Sequence, residues 1–181
     1  MGKPLLAALL ALAALAAQAR PGATVSARCE VWQRELSFAR TVERHDAAAF
    51  AEHVDADAVF DANTAHPLRG RAAILRRWAP IIAGKAVRLR WYPAWVVLAG
   101  DPATALSSGP ALVEDLTPGA SPRYLLLSFS TVWHRGADGA WRVMFDGGSD
   151  GHPASAQEVA DFEAGRRADC APELAALALR R

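Results

Sequence analysis

Residues 130–150 read STVWHRGADGAWRVMFDGGSD, a pattern that predicts two antiparallel strands joined by a tight turn. The letters GADG have turn chemistry, and the second strand runs from Trp141 directly into an acid and two glycines. If the alternation of faces continues along that strand, Arg142, Met144 and Asp146 share one side of the sheet. Asp146 is then either a turn residue that bonds the backbone or pairs with an arginine, or a group that faces a cavity.

Four apolar runs make up the second half of the chain: residues 86–99, 103–116, 124–134 and 140–146. The joins between these runs are short and rich in turn residues, so the sequence predicts a four-stranded antiparallel meander. The strands are longer than usual, and Pro93 and Gly109 indicate bulges. Long, bulged and twisted strands curl. We therefore predict an α+β fold whose curved sheet forms a cone.

Residues 29–84 show the periodicity of helices instead. Apolar side chains recur every three or four residues from Cys29 to Arg44, and Asp46 is placed to cap a second, shorter helix. Gly70 begins a third helix, which Gly84 ends. We expect these helices to close the concave side of the sheet.

The chain is predicted to be one domain with an export signal. Residues 1–19 combine a positive start, an apolar Leu/Ala run and a small-residue cleavage site, which is typical of a signal peptide. Residues 20–28 are interpreted as a linker, 29–150 as the cone and 151–181 as a C-terminal helical extension, whose first helix is expected to begin at the capping-box signature of Ser155 and Glu158. The predicted location is periplasmic or secreted, without membrane contact after cleavage. An uncleaved N-terminal anchor is the alternative.

Export favours pairing of the two cysteines, Cys29 and Cys170, in an oxidising compartment. Such a disulfide would hold the C-terminal extension against the first helix. Two buried free thiols are the alternative. A metal site is disfavoured, because cysteine and histidine do not cluster at ligand spacing.

Composition and motifs exclude several classes of function. The formal charge is +1 without a long run of one sign, so nucleic acid is not expected as a partner. The sequence lacks a phosphate-binding loop, a dinucleotide fingerprint and the G-x-S-x-G motif of serine hydrolases. We expect no cofactor.

Three segments carry a resemblance to a known family: ERHDAAAFAEHVDADAVFD, LRGRAAILRRW and the closing hairpin TVWHRGADGAWRVMFDGG. The chain resembles, over about residues 30–150, the SnoaL-like, ketosteroid-isomerase-like branch of the nuclear transport factor 2 superfamily, and within it a bacterial subgroup of unknown function. The resemblance implies a cone with a pocket between helices and sheet, often dimeric through the outer sheet face.

The resemblance does not imply one reaction, because the superfamily includes isomerases, dehydratases, cyclases, epoxide hydrolases and ligand carriers. Its isomerases use a carboxylate base with a tyrosine that holds the oxyanion. Tyr92 and Tyr124 are the only tyrosines here, and neither lies in the first helix, where that tyrosine is expected. Ketosteroid-type isomerisation is therefore disfavoured.

Polar candidates lie at two places along the chain. Asp61, Asn63, His66 and Arg69 fall within nine residues and could position and polarise a ligand. The alternative is that they bond the loop backbone and form surface ion pairs. Asp61 or Asp146 is the candidate general base, with His66 assisting.

Aromatic candidates are expected to line the interior and to form a pocket wall. They are Trp78, Trp91, Trp95 and Trp133. Ser130 alternates with Phe129, so it lies either outside or against a polar cavity and is counted as a ligand-binding candidate.

Three functions are consistent with the sequence. The leading hypothesis is an exported domain that binds a small apolar molecule. The first alternative is a cofactor-free isomerase, dehydratase or hydrolase. The second is an interaction module that forms a homodimer through the outer sheet face, where Arg88, Arg90 and Tyr92 alternate.

Overall fold

The computed structural model describes residues 21–170. The expected signal peptide and the last apolar segment of the C-terminal extension lie outside the described residues. In chain order the elements are α1 Pro21–Glu43, α2 Ala47–His53, β1 Val54–Phe60, β2 Leu68–Arg69, α3 Arg71–Ala83, β3 Val87–Trp91, β4 Trp95–Leu98, β5 Thr104–Asp115, β6 Tyr124–Arg135, β7 Trp141–Gly148, β8 His152–Pro153 and α4 Ala156–Ala164.

The strands form one curled sheet in the order β2-β1-β7-β6-β5-β3, with β4 also paired to β5 and β8 to β6. The antiparallel pairs β5–β6 and β6–β7 confirm the predicted meander. Strand β1 adds a parallel pair with β7, which the sequence analysis did not predict. The α+β cone is therefore confirmed, with a larger sheet than expected.

The run 86–99 forms two strands rather than one. Strands β3 and β4 each pair with β5, but the chain leaves the sheet between them. Pro93 lies at this break, because it has no N–H to donate to the neighbouring strand. Gly109 lies opposite this break, where a Cβ atom would come within 2.2 Å of the carbonyl oxygen of Tyr92. Glycine thus allows the interrupted strand to press against β5.

Helix α1 is longer than predicted. It begins at Pro21, so residues 21–28 are helical and the linker interpretation is wrong for them. Proline suits the first turn of a helix because its missing N–H is not needed there. Asp46 caps α2 by accepting a hydrogen bond from Ala49, and α3 ends at Gly84 in a left-handed conformation, both as predicted.

An aromatic cluster between helices and sheet forms the centre of the core. Phe38 of α1 is buried, and its ring lies 4.8 Å from Phe50 and 5.4 Å from Trp91 between centroids. Trp133 contacts the same ring edge-on at 6.0 Å. This cluster fills one end of the cone and leaves the other end open.

The C-terminal extension is joined to α1 by a disulfide between Cys29 and Cys170, which confirms the predicted pairing. The capping box of Ser155 and Glu158 begins α4, also as predicted. Arg166 and Glu43 form an ion pair 2.5 Å long that adds a polar contact between the two segments. Within residues 21–170, every helix is too short or too polar to cross a membrane.

Candidate functional site

A bulge in β7 determines which way Asp146 points. Trp133 pairs with Val143, but Val132 pairs with Phe145 and Thr131 with Asp146, so one extra residue lies in β7 at this point. The strict alternation expected from sequence is therefore wrong. Directly opposed residues share a face, so Asp146 lies on the inner face beside the buried Thr131, and Phe145 is turned outward.

The same register extends the polar inner face across the sheet. Ser107 of β5 lies opposite Thr131 of β6, which in turn lies opposite Asp146. The hydroxyl of Ser107 is fully buried and lies close to the carboxyl of Glu35. A row of polar groups thus crosses the floor of the cone.

Glu35 of α1 lies above this row and is fully buried. Its Oε1 accepts a hydrogen bond of 2.8 Å from Nε1 of Trp91. Its Oε2 accepts one of 2.8 Å from Nε1 of Trp133 and one of 2.5 Å from Oγ1 of Thr131. Three donors from the sheet thus converge on one carboxyl.

The sequence analysis missed Glu35, although the chain contains a signal for it. Glu35 follows Val31 by four residues and precedes Phe38 by three, so it lies within the apolar stripe of α1. An acid in that position is buried and needs partners. The partners are far away in sequence, and only the folded chain shows them.

Burial raises the pKa of Asp146 well above its usual value, and the nearby charges of Glu35 and Asp61 raise it further. Burial also raises the pKa of Glu35, against the opposing effect of its hydrogen bonds from Thr131, Trp91 and Trp133. No basic side chain contributes to either shift. The two acids differ in two respects: Asp146 is only half-buried, and within residues 21–170 its carboxyl forms no hydrogen bond.

Asp146 lines a cavity of about 280 Å³ that opens between helices and sheet. Its apolar wall consists of Trp78, Leu89, Trp91, Ala111, Leu127 and Phe129. Its polar side consists of Asp61, Asn63, Thr64, Ser128, Asp146, Ser149 and Asp150, with two glycines. The volume is near the lower end of the range for small-molecule sites, about 300–1,000 Å³.

The loop after β1 brings Asp61 to the mouth of this cavity. The backbone N–H of Ala62 donates to the carbonyl oxygen of Asp146 at 2.9 Å, and Nδ2 of Asn63 donates to that of Gly148 at 2.6 Å. A Cβ atom on Gly147 would lie 2.5 Å from Oδ1 of Asn63, so a side chain at position 147 would displace the Asn63 amide. Asp61 itself has a left-handed backbone with φ of 53°.

The structure brings together five of the predicted site residues: Asp61, Asn63, Trp78, Trp91 and Asp146. The other five lie elsewhere. His66 and Arg69 are exposed and do not line the cavity, so the expected assistance of Asp146 by His66 is not supported. Arg142, which was considered as a partner of Asp146, pairs with Asp138 instead.

Three further candidates require correction. Trp95 is 42% exposed on the outer face, because the break at Pro93 leaves Val96 as the inward residue of β4. Ser130 lies on the same outer face, where its hydroxyl bonds to that of Ser108. Trp133 is inside but lies beneath the cavity, where it supports Glu35.

No group of three or more His, Cys, Asp or Glu side chains within residues 21–170 is arranged to hold a metal ion. The cavity therefore offers carboxyls, an amide, hydroxyls and aromatic rings as its chemical groups.

Comparisons with known proteins agree with this geometry. The model of the SnoaL-like domain family matches residues 36–144. A nuclear transport factor 2-like superfamily protein from Salmonella enterica has a TM-score of 0.57 at 12% identity, covering 74% of this chain and 95% of its own. An NTF2-like protein from Novosphingobium aromaticivorans has a TM-score of 0.54 at 20% identity. The match covers 72% of this chain and 85% of that protein.

A third similar structure, from Streptomyces avermitilis, carries a provisional dehydratase assignment within the NTF2-like family. It has a TM-score of 0.54 at 21% identity and covers 75% of this chain and all of its own. No curated protein matches the sequence. At these identities the solved structures establish the fold alone.

Proposed function

The chain belongs to the SnoaL-like domain family, and on that basis we propose that it binds a small, largely apolar molecule in the cavity of its cone. The same cavity suits proton transfer by Asp146, which makes a cofactor-free isomerase, dehydratase or hydrolase the alternative. The single observation that carries the proposal is the Asp146 carboxyl, which is half-buried at the cavity wall and has no hydrogen bond from the described part of the chain.

A carboxyl that is partly withdrawn from water and has no hydrogen bond from the described residues is destabilising, since it loses hydrogen bonds to water. A ligand that reaches Asp146 restores at least one of them, while the rings of Trp78 and Trp91 pack against its apolar body. Binding therefore gains both polar and apolar contacts in one place.

The raised pKa of Asp146 suits chemistry in either direction. In its protonated form the carboxyl can give its proton to a departing hydroxyl, which leaves as water. In its ionised form it can take a proton from a carbon next to a carbonyl and return it to another carbon of the same molecule. Asp61, at the mouth of the cavity, is the second carboxyl within reach of a bound molecule.

The test compares molecules retained by the purified protein with those retained by Asp146→Asn, using native mass spectrometry and tryptophan fluorescence. We expect the wild type to retain a small molecule and the variant to bind it at least tenfold more weakly. Asn at 146 removes the ionisable group and keeps the shape, so the variant should fold. Asp57→Asn, an exposed change on β1, is the control and should bind normally. Equal binding by all three proteins would refute the proposal.

The outer sheet face favours a second function, association with another copy of this chain. Val97, Leu106, Val132 and Phe145 lie opposite one another on four adjacent strands, and Val97 and Phe145 are 40% and 45% exposed. An uncharged apolar row can pack on its own copy about a two-fold axis. We expect a dimer in sedimentation at micromolar concentration and a monomer for Val97→Lys. A monomeric wild type would contradict this.

We also propose that the protein is exported to the periplasm or secreted. The support is the signal-like sequence of residues 1–19 together with the disulfide, because disulfides persist in oxidising compartments. The thiol state of Cys29 and Cys170 in cells lysed under a thiol-blocking reagent tests this, and free thiols would contradict it.

A further inference from the structure

The cavity has an unbalanced charge. Three carboxyls line it, those of Asp61, Asp146 and Asp150, and the lining includes no lysine, arginine or histidine. A fourth carboxyl, Glu35, lies close enough to affect the pKa of Asp146. Small-molecule sites usually place a few polar groups to match the ligand. Here the charged groups of the lining are all carboxyls, and the lining has no basic side chain to match them.

Three hydrogen-bond donors at the cavity are already engaged within the protein. The Asn63 amide donates to the backbone of Gly148, and the Thr64 hydroxyl donates to the carbonyl oxygen of Asp61. The indole N–H of Trp91 donates to Glu35. A carboxylate or phosphate would have to displace these bonds or use the few remaining donors of the lining. A ligand that supplies donors finds the Asp146 carboxyl, which has no hydrogen bond from the residues that the structure describes.

The aromatic wall has the arrangement that suits a cation. Trp78 and Trp91 meet at an interplanar angle of 72° with centroids 6.4 Å apart, and Trp91 meets Phe129 at 63° and 6.4 Å. These three rings, set at steep angles to one another, form an aromatic corner of the cavity wall. A cation over an aromatic face gains about 0.5–2 kcal/mol, and more when it is desolvated.

We propose that the ligand is an organic cation: a small apolar or aromatic molecule with an ammonium head that lies between Asp146 and Asp61, while its body packs on Trp78, Trp91 and Phe129. This inference rests on the proposed function and adds the chemical class of the ligand. The ammonium supplies the N–H donors and the positive charge that the cavity lacks. An anionic ligand would meet three carboxyls in a partly desolvated space.

The experiment uses three probes of similar size: benzylamine as the cation, benzyl alcohol as the neutral molecule and benzoate as the anion. Binding to the full chain is followed by tryptophan fluorescence at neutral pH and low salt, because salt screens the exposed Asp61. We expect benzylamine to bind at least tenfold more tightly than benzyl alcohol. Benzoate should bind most weakly.

Two variants test which carboxyl causes the preference for a cation. Asp146→Asn should reduce the ratio of benzylamine to benzyl alcohol affinity by tenfold or more, whereas Asp57→Asn should leave it unchanged. Asp61→Asn should reduce this affinity ratio by a smaller factor than Asp146→Asn does. Position 61 tolerates this change, since asparagine is among the residues that accept a left-handed backbone, and the variant remains informative if Asp146→Asn does not fold.

The outcomes separate the two proposals. If benzyl alcohol or benzoate binds as tightly as benzylamine, and Asp146→Asn weakens that binding, the cation inference is wrong and the binding function stands. If the cation preference survives in both Asp146→Asn and Asp61→Asn, the cation is bound elsewhere and the inference is wrong. If none of the probes binds up to millimolar concentration, the inference is also wrong, and the native mass spectrum of retained molecules then decides the binding function separately.

Discussion

Replacing Glu35 with alanine is expected to lower the free energy of unfolding by about 4 kcal/mol, because several buried donors lose their acceptor together. The indoles of Trp91 and Trp133 and the hydroxyl of Thr131 all donate to this carboxyl. The substitution also leaves a cavity in the centre of the aromatic cluster, which adds to the loss. Equilibrium unfolding in urea, followed by tryptophan fluorescence, measures the change.

Two matched variants show whether the loss comes from the hydrogen bonds to Glu35. Glu35→Gln keeps one acceptor oxygen and most of the volume, so it should lose clearly less than alanine, although its amide N–H₂ faces the donor of Trp91 or Trp133. Glu52→Ala removes an exposed helical glutamate and should change the free energy by less than about 0.5 kcal/mol. A loss at Glu35→Ala no larger than at Glu52→Ala would show that the three donors do not depend on Glu35.

Removing the disulfide is expected to lower the free energy of unfolding by about 5 kcal/mol on the chain-entropy account. Cys29 and Cys170 are 141 residues apart, so the bond closes almost the whole described chain into one loop and restricts the unfolded state strongly. Urea unfolding with and without a thiol reductant measures the effect. The transition should move to lower urea, and its slope should increase because the unfolded chain expands once the loop is opened.

The control for this experiment is the double variant Cys29→Ser/Cys170→Ser. It should unfold at the same urea concentration as the reduced wild type, and reductant should not change it. The C-terminal extension keeps its polar contacts in both proteins, including the hydrogen bond from Gln33 to the carbonyl oxygen of Ala168. A reduced wild type that unfolds at the oxidised midpoint would show that the tether contributes nothing.

The two carboxyls have different roles because their surroundings differ. Glu35 has its oxygens engaged by three donors from the sheet, so its place in the fold is structural. Asp146 is half-buried at the cavity and has no hydrogen bond from residues 21–170, so its partial loss of water destabilises the protein unless a ligand compensates. Natural proteins retain such costs mainly at functional sites. This contrast is why we assign the ligand contact to Asp146 and not to Glu35.

The elements that sequence analysis predicted correctly depend on local interactions. The hairpin at residues 130–150 follows from its turn letters and alternation, and the caps at Asp46 and Ser155 follow from side chains that reach the adjacent backbone. Gly84 ends α3 because it accepts a left-handed backbone. These interactions act within about four residues, so the chain reveals them without its fold.

The site was predicted only in part, because its geometry depends on contacts between distant segments. Asp61 and Asn63 were candidates by proximity in sequence, and the loop does carry them to the cavity. His66 and Arg69, only a few residues further on, turn away to the surface. Sequence spacing therefore predicted that these residues share a loop and could not predict which of them face inward.

The chain alone was enough to establish an α+β cone, because period-two and helical patterns and short turns leave few topologies open. The tertiary structure decided the direction of Asp146 and the burial of Glu35. One extra residue in β7 reverses the face of every following side chain, and nothing in the letters WRVMFDGG marks its place. The bulge is seen only in the pairing of β7 with β6, and the pairing of β7 with β1 shifts register at the same place. The free energy that selects it comes from packing across the cone.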